Sequence, residues 1–235
     1  MRMRLSTVCY IAFGAAALIT SFQVMAWAAP TYGTDMPPKG GVVTGYQNNI
    51  IFKHNLSDSY GSVRSDQHFY DISFGAGDRL SLDGKIGLGN ILRKGGTHPK
   101  VYYDYGFAGG YGFRLLVKDD PKNKIKIVAG FHHISVHPLS RNISGDKYES
   151  ILDDWQCSLV SSRQVGIFSP FLGFKISKCD LLCRVNEIDR KRRPPEYYAG
   201  VVVGCAARIK DSLSVRIEAH FIDESSLAAG IWYRF

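Results

Sequence analysis

The sequence predicts an all-β chain that closes into an antiparallel up-and-down transmembrane barrel of about ten strands. Three observations indicate this fold: segments in which apolar and polar residues alternate, connections that alternate between long and short, and a last segment that ends on Phe235. The composition agrees, because 24 Gly, 13 Tyr and 13 Phe in 235 residues suit strands and turns better than helices.

The first 28 residues have the pattern of a secretory signal peptide. Arg2 and Arg4 form a basic start, residues 8–19 form an apolar run, and Ala26 and Ala28 supply the small residues that signal peptidase needs. That run is shorter than the roughly 20 residues of a spanning helix, and no later run approaches that length, so membrane insertion must use strands. We therefore predict three parts: a signal peptide (1–28), a periplasmic N-terminal segment (29–40) and an outer-membrane barrel (41–235).

Five segments show clean alternation. In residues 213–221 the apolar side chains take every second position, and polar residues such as Arg216 and Glu218 take the others. The other clean segments are 70–74, 80–88, 103–113 and 227–235. Five noisier strands are expected at 42–53, 124–136, 155–167, 171–178 and 197–209. Ten strands result, and eight remain an alternative if two weak segments stay outside the barrel.

The lengths of the connections support a membrane barrel with both termini on the periplasmic side. The long connections are 54–66, 92–99, 138–153 and 180–196. The short ones are 75–78, 118–123, 168–170 and 210–211, and the last connection, 223–226, is short where the alternation predicts a long one. Long loops outside and tight turns inside are typical of outer-membrane barrels. A soluble lipocalin-like barrel is the alternative, but Tyr and Phe near the strand ends favour interfacial girdles.

The C-terminal segment 227–235 resembles the terminal β-signal of bacterial outer-membrane proteins, with Ile231, Tyr233 and Phe235 in phase and an aromatic residue last. The resemblance implies that the barrel assembly machinery recognises the edge of this strand. Ten strands also resemble the omptin proteases and the opacity-type adhesins. Asp153-Asp154 and His137 lie near a predicted outer rim, but no second arrangement completes an omptin set, so we expect no enzyme.

Neither a metal site nor a cofactor site is predicted. His132 and His133 are adjacent on one strand and point to opposite faces, so they cannot both bind one ion. Cys179 and Cys183 are a candidate disulfide in the oxidising periplasm, with free thiols as the alternative.

Charged residues on the inward faces are expected to form a structural network, since barrels of this size leave little free lumen. The predicted network consists of Asp71, Asp83, Lys85, Asp104, Arg114, Lys126, Lys175, Arg208, Arg216 and Glu218.

A basic outer loop is the candidate binding surface. It contains Arg184, Arg190, Lys191, Arg192 and Arg193. These cations can bind the phosphates of lipopolysaccharide, although they can equally be solvated charges that resist aggregation. Nucleic acid is a poor partner for a cell-surface loop. The sequence thus predicts a monomer in outer-membrane lipid with a structural or surface-binding role. The alternatives are a narrow ion or solute pore, and a protease or lipid-modifying barrel with a rim site at His137 or Asp153.

Overall fold

The computed structural model describes residues 32–96 and 100–235. The predicted signal peptide (1–28) and the first residues of the predicted N-terminal segment lie outside the described residues. No helix in the described ranges is long and apolar enough to cross a membrane. These ranges form twelve strands: β1 (Val42–Asn55), β2 (Ser62–Gly75), β3 (Leu80–Lys94), β4 (Val101–Asp120), β5 (Ile125–His137), β6 (Arg141–Ile143), β7 (Asp146–Arg163), β8 (Phe168–Val185), β9 (Ile188–Arg193), β10 (Ala199–Arg208), β11 (Leu213–Phe221) and β12 (Glu224–Arg234).

Ten of these strands form a closed antiparallel barrel in the order β1-β2-β3-β4-β5-β7-β8-β10-β11-β12, and β12 pairs back onto β1. In the closing pair, Tyr46 lies opposite Ile231, and the amide of Phe235 donates to the carbonyl oxygen of Val42 at 3.1 Å. The short strand β6 pairs with β7, and β9 pairs with β8. The predicted fold class and the predicted ten barrel strands are therefore confirmed.

The connections differ in length between the two ends of the barrel. One end, called the outer rim below, carries residues 56–61, 95–96, 100, 138–145, 186–198 and 222–223. The other end, called the periplasmic mouth below, carries the turns 76–79, 121–124, 164–167 and 209–212. Much of the predicted long loops 138–153 and 180–196 is strand instead, because β7 and β8 extend past the barrel and pair with β6 and β9.

The barrel has apolar side chains outside and polar side chains inside. Ile86 on β3 is 59% exposed and Phe174 on β8 is 67% exposed, whereas Gln47, Asp71 and Lys175 point inward and are buried. A soluble barrel has the opposite arrangement. Because hydrocarbon offers no hydrogen-bond partner to the backbone, a closed barrel is the β-structure that can present such a wall to lipid. The protein is therefore an outer-membrane β-barrel, as the sequence predicts.

The N-terminal segment enters the periplasmic mouth. Tyr32 is buried and stacks on His132, with ring centroids 4.6 Å apart, and Arg114 Nη1 donates to the carbonyl oxygen of Asp35 at 2.6 Å. Burial, followed by the charges of neighbouring carboxylates, raises the pKa of Tyr32 well above its ordinary value, so its phenol stays neutral. The sequence predicts that the N-terminal segment lies in the periplasm. Its described part closes the periplasmic mouth of the barrel.

β-Bulges in β1 and β4 shift the side-chain phase of these strands. In β1 the register shifts between Ile51 and Lys53, and in β4 it shifts between Tyr103 and Gly106. Tyr103 consequently points inward, and the side chain of Asp104 points outward and is 53% exposed. The prediction that Asp104 faces the lumen is wrong, because the extra residue of the bulge reverses the alternation.

We expect Ile86→Arg to lower the free energy of unfolding by about 2–4 kcal/mol, since a cation near the middle of a lipid-facing strand is costly. Val165→Arg is the matched control, because Val165 is 60% exposed but lies in a turn at the periplasmic mouth. Its cost should stay within about 0.5 kcal/mol. Urea titration of the barrel in phospholipid vesicles measures both, and equal costs would contradict a lipid-facing wall at β3.

Candidate functional site

A lower polar layer lies in the lumen next to the periplasmic mouth and centres on Arg114. The Nε and Nη2 groups of Arg114 each donate to a carboxylate oxygen of Asp83 at 2.8 Å, and the hydroxyl of Ser73 donates to the same carboxylate at 2.6 Å. His132 Nε2 lies 3.6 Å from Asp83 Oδ2. A buried ion pair is tolerated when further hydrogen bonds satisfy its members. This layer therefore ties β3 and β4 to the N-terminal segment.

The predicted lumen charges divide between three places. Inside the barrel and buried are Asp71, Asp83, Lys85, Arg114, Lys175, Arg216 and Glu218. Lys126 and Arg208 line the periplasmic mouth instead, where Arg208 Nη2 lies 3.7 Å from Asp35 Oδ1. Asp104 lies outside the barrel.

An upper polar layer centres on Lys175. The Nζ atom of Lys175 lies 2.9 Å from Asp223 Oδ2 and also contacts a carboxylate oxygen of Glu224, and all three side chains are fully buried. Gly200 on β10 leaves room for this arrangement, because a Cβ atom there would stand 2.0 Å from Asp223 Oδ1. The layer joins β8 to the turn between β11 and β12.

Three carboxylates of this region are not among the lumen charges predicted from the sequence. Asp154 was predicted near the outer rim, whereas the structure buries Asp154 in the lumen. Alternation counted from the exposed Trp155 was the signal that could have placed it there. Asp223 and Glu224 received no role, because the turn residue Ile222 has a φ of 84°, which no strand periodicity predicts.

An apolar core fills the outer part of the lumen. It consists of Ile51, Leu56, Val63, Phe69, Ile91, Val101, Tyr103, Ala108, Ile134, Val136, Leu152, Cys179 and Leu181. Within residues 32–96 and 100–235, no group of three or more His, Cys, Asp or Glu residues could hold a metal ion. Together the two polar layers and this core occupy the lumen with packed side chains.

A groove of about 350 Å³ opens at the outer rim, between the chain that follows β5 and the paired strands β7, β8 and β9. Its charged and titratable lining residues are His137, Glu149, Cys183, Arg184 and Arg190. Arg184 Nε donates to Glu149 Oε2 at 2.5 Å. With two arginines against one glutamate, the groove favours an anionic ligand.

The basic run predicted as a loop forms strand β9. Arg192 Nη1 donates to Asp180 Oδ2 at 2.8 Å, and the guanidinium of Arg193 lies 3.5 Å from the centre of an aromatic ring. These two arginines therefore hold the hairpin in place. Arg190 and Lys191 are exposed and present their charges at the rim.

The predicted disulfide between Cys179 and Cys183 is wrong, because both cysteines are free. They lie on one continuous strand, β8, where four residues span about 13 Å. A disulfide requires Cα atoms within about 7 Å. Free thiols are likewise present at Cys157 and Cys205.

The residues that resemble an assembly signal lie on the outward face of β12. Ile231, Tyr233 and Phe235 are exposed, while Trp232 points inward beneath the guanidinium of Arg216, 4.2 Å from the ring centre. The outward face of β12 is thus apolar where this strand reaches the periplasmic mouth.

Comparison with solved structures finds bacterial outer-membrane barrels. The outer-membrane protease of Escherichia coli is 10% identical, with 83% of this chain and 94% of that chain covered and a TM-score of 0.39. An outer-membrane channel from Pseudomonas putida F1 is 9% identical, over 88% and 100% of the two chains, with a TM-score of 0.43. The autotransporter translocator domain from Neisseria meningitidis is 10% identical over 98% of each chain, with a TM-score of 0.42.

No protein-family model and no curated protein matches the chain. The fold is therefore assigned from the chain's own strand register and burial pattern. Closure of β12 onto β1 and the outward apolar wall place this protein in a bacterial outer membrane.

We expect Lys175→Met to lower the free energy of unfolding by about 3–5 kcal/mol, because it leaves two buried carboxylates without their cation. The matched variant Lys175→Met/Asp223→Asn/Glu224→Gln removes the uncompensated charge and should recover most of the loss. Urea titration compares the free energies of unfolding of the two variants, with the heat-modifiable gel mobility of the folded barrel as the readout. If the triple variant lost as much as the single one, packing rather than charge would govern this layer.

Proposed function

We propose that this protein is a filled outer-membrane barrel whose outer-rim groove binds the phosphorylated head groups of outer-leaflet glycolipid such as lipopolysaccharide. The groove beside Arg184 and Arg190 is the observation that carries the proposal. Its volume of about 350 Å³ lies at the small end of ligand pockets, which suits a head group rather than a whole lipid.

The arrangement of charges supports phosphate as the ligand. Arginine presents a planar set of donors that matches phosphate oxygens, and such charge-assisted hydrogen bonds are stronger than neutral ones. Arg184 is held in place by Glu149, whereas Arg190 and Lys191 are exposed at the rim. The groove thus combines the fixed guanidinium of Arg184 with the exposed cation of Arg190, and Lys191 adds a further cation at the rim beside the groove.

The filled lumen favours binding over conduction. Side chains of the two polar layers and the apolar core pack across the barrel, and the N-terminal segment enters its mouth. In the same proposal the protein acts as a monomer, and the edge of β12 is what the assembly machinery recognises during insertion.

We expect Arg190→Gln/Lys191→Gln to weaken binding of lipopolysaccharide about 10-fold or more, since each hydrogen bond to a charged group contributes about 1.5–3 kcal/mol. Lys118→Gln/Lys122→Gln is the matched control, because it removes the same charge at the periplasmic mouth. Binding is measured to immobilised lipopolysaccharide at several salt concentrations. Equal weakening by the control pair, or equal affinity for dephosphorylated lipopolysaccharide, would contradict the proposal.

We expect no stable single-channel openings when the full barrel is reconstituted in planar bilayers, because packed side chains occupy the lumen. A conducting porin reconstituted in parallel verifies that the bilayer reports insertion. Stable, charge-selective openings would favour the pore alternative and would overturn the filled-barrel proposal.

A further inference from the structure

A polar patch interrupts the lipid-facing wall where β5 pairs with β7. His133, Ser135 and His137 share the outward face of β5, and Asp153 lies directly opposite Ser135 on β7. We call these four residues the wall patch. Their side chains point away from the lumen, so they take no part in the polar layers that hold the barrel interior together.

The neighbours of the wall patch fix its depth in the membrane. Phe131 lies two residues closer to the periplasmic mouth than His133. It pairs with Cys157 on β7, and its ring stacks on that of Phe113 with centroids 5.5 Å apart, so the wall is apolar at this level. Trp155 lies between the two regions and stacks on His133 at 3.9 Å. Tryptophan is typical of the boundary between hydrocarbon and head groups. The wall patch therefore lies at this boundary, which is also where the ester groups of membrane lipids lie.

Two hydrogen-bonded pairs form the patch. Ser135 Oγ and His137 Nε2 are 2.8 Å apart, which is the distance between a nucleophile and its general base. Asp153 Oδ1 is hydrogen-bonded to His133 Nε2 at 2.7 Å, and Asp153 Oδ2 accepts a hydrogen bond from Trp155 Nε1 at 3.2 Å. Side chains directly opposite in a sheet have Cβ atoms about 5 Å apart. The carboxylate is thus fixed beside Ser135.

From this geometry we propose that the wall patch is an esterase site for acyl esters of anionic lipids. Ser135 Oγ attacks the ester carbonyl carbon while His137 Nε2 takes the hydroxyl proton. The ester C–O bond then breaks, and His137 returns the proton to the departing alcohol, which leaves an acyl-serine. A water molecule attacks this acyl-serine, gives a proton to His137 and releases the fatty acid, and the same proton restores the Ser135 hydroxyl.

The choice of an anionic lipid rests on the proposed function of the groove. His137 belongs to the wall patch and also lines the groove, so a head group bound near Arg184 and Arg190 keeps its ester linkages close to Ser135. Two sources share this chemistry, a glycerophospholipid and an acylated glycolipid. The sequence-based expectation of no enzyme rested on the incomplete omptin set at His137, Asp153 and Asp154, with a lipid-modifying rim site at His137 or Asp153 kept as an alternative.

A fluorophosphonate probe tests the nucleophile independently of any head group, because an activated serine oxygen displaces its fluoride. Mass spectrometry of the folded full-length barrel should locate the label at Ser135. The label should disappear in Ser135→Ala and fall about 100-fold in rate in His137→Ala, which loses the general base. It should be unchanged in Ser161→Ala, which alters an exposed serine on the same wall opposite Ile127.

Heat-modifiable gel mobility confirms that each variant is folded before it is labelled. No label at Ser135 in the folded wild-type barrel would overturn the proposal, and so would equal labelling rates in the wild type and His137→Ala.

Turnover identifies the lipid and separates the two proposals. Fatty-acid release is measured from phosphatidylglycerol vesicles in one arm and from lipopolysaccharide in the other. Release in either arm that falls at least about 100-fold in Ser135→Ala supports the site and names its lipid. In Arg190→Gln/Lys191→Gln we expect a raised KM with kcat and labelling unchanged. Labelling of Ser135 without any such KM change would support the esterase proposal and contradict the proposal that the groove binds the head group. No fatty-acid release in either arm would overturn the esterase proposal.

Discussion

Closure of the sheet between β1 and β12 is the constraint on which the other features depend. A wall that faces hydrocarbon has no water to satisfy backbone N–H and C=O groups, so each strand must have a partner on both sides. Once the sheet is closed, alternate side chains point to lipid and to a narrow lumen. Polar residues on the inward phase between the two mouths are then buried, and the chain must supply their partners. The ion pairs of Arg114 with Asp83 and of Lys175 with Asp223 follow from this requirement.

The turn between β11 and β12 shows how strongly the lumen requires this neutralisation. Ile222 is a β-branched residue with a φ of 84°, a conformation that such side chains rarely adopt. The strain turns Asp223 into the barrel, where Gly200 leaves it room and Lys175 binds it. A two-residue turn replaces the long connection that the alternation of loops predicts, because the residues there serve the lumen and not the cell surface. Local strain is thus offset by a buried charge pair.

The sequence was sufficient for the ten strands, for barrel closure and for most of the inward charges, because all three follow from a period of two. It failed where that period is broken. The bulge in β4 places Asp104 on the outward face. Strand β8 extends past the barrel, so the expected loop is instead the hairpin of β8 and β9, and the candidate disulfide partners Cys179 and Cys183 lie apart on one strand. The wall patch depends on the cross-strand register of β5 and β7, and a single sequence does not reveal that register. Ser135 and Asp153 are 18 residues apart along the chain, and only the pairing of β5 with β7 brings them together.

The sector of the barrel at β5 carries the wall patch and adjoins the basic strand β9. β5 ends at His137 opposite Phe107, whereas β4 continues outward to Val101 and β7 to Asp146, and the short strand β6 pairs with the outer end of β7. The end of β5 is exposed at His137, and polar side chains on the lipid-facing phase are tolerated because they stand at the boundary and not in hydrocarbon. An apolar residue at Ser135 would satisfy the fold equally well, since the backbone ladder and not this hydroxyl joins the strands. The hydrogen bond between Ser135 and His137 is therefore not required for barrel closure, and in the proposed esterase it serves to activate the Ser135 hydroxyl.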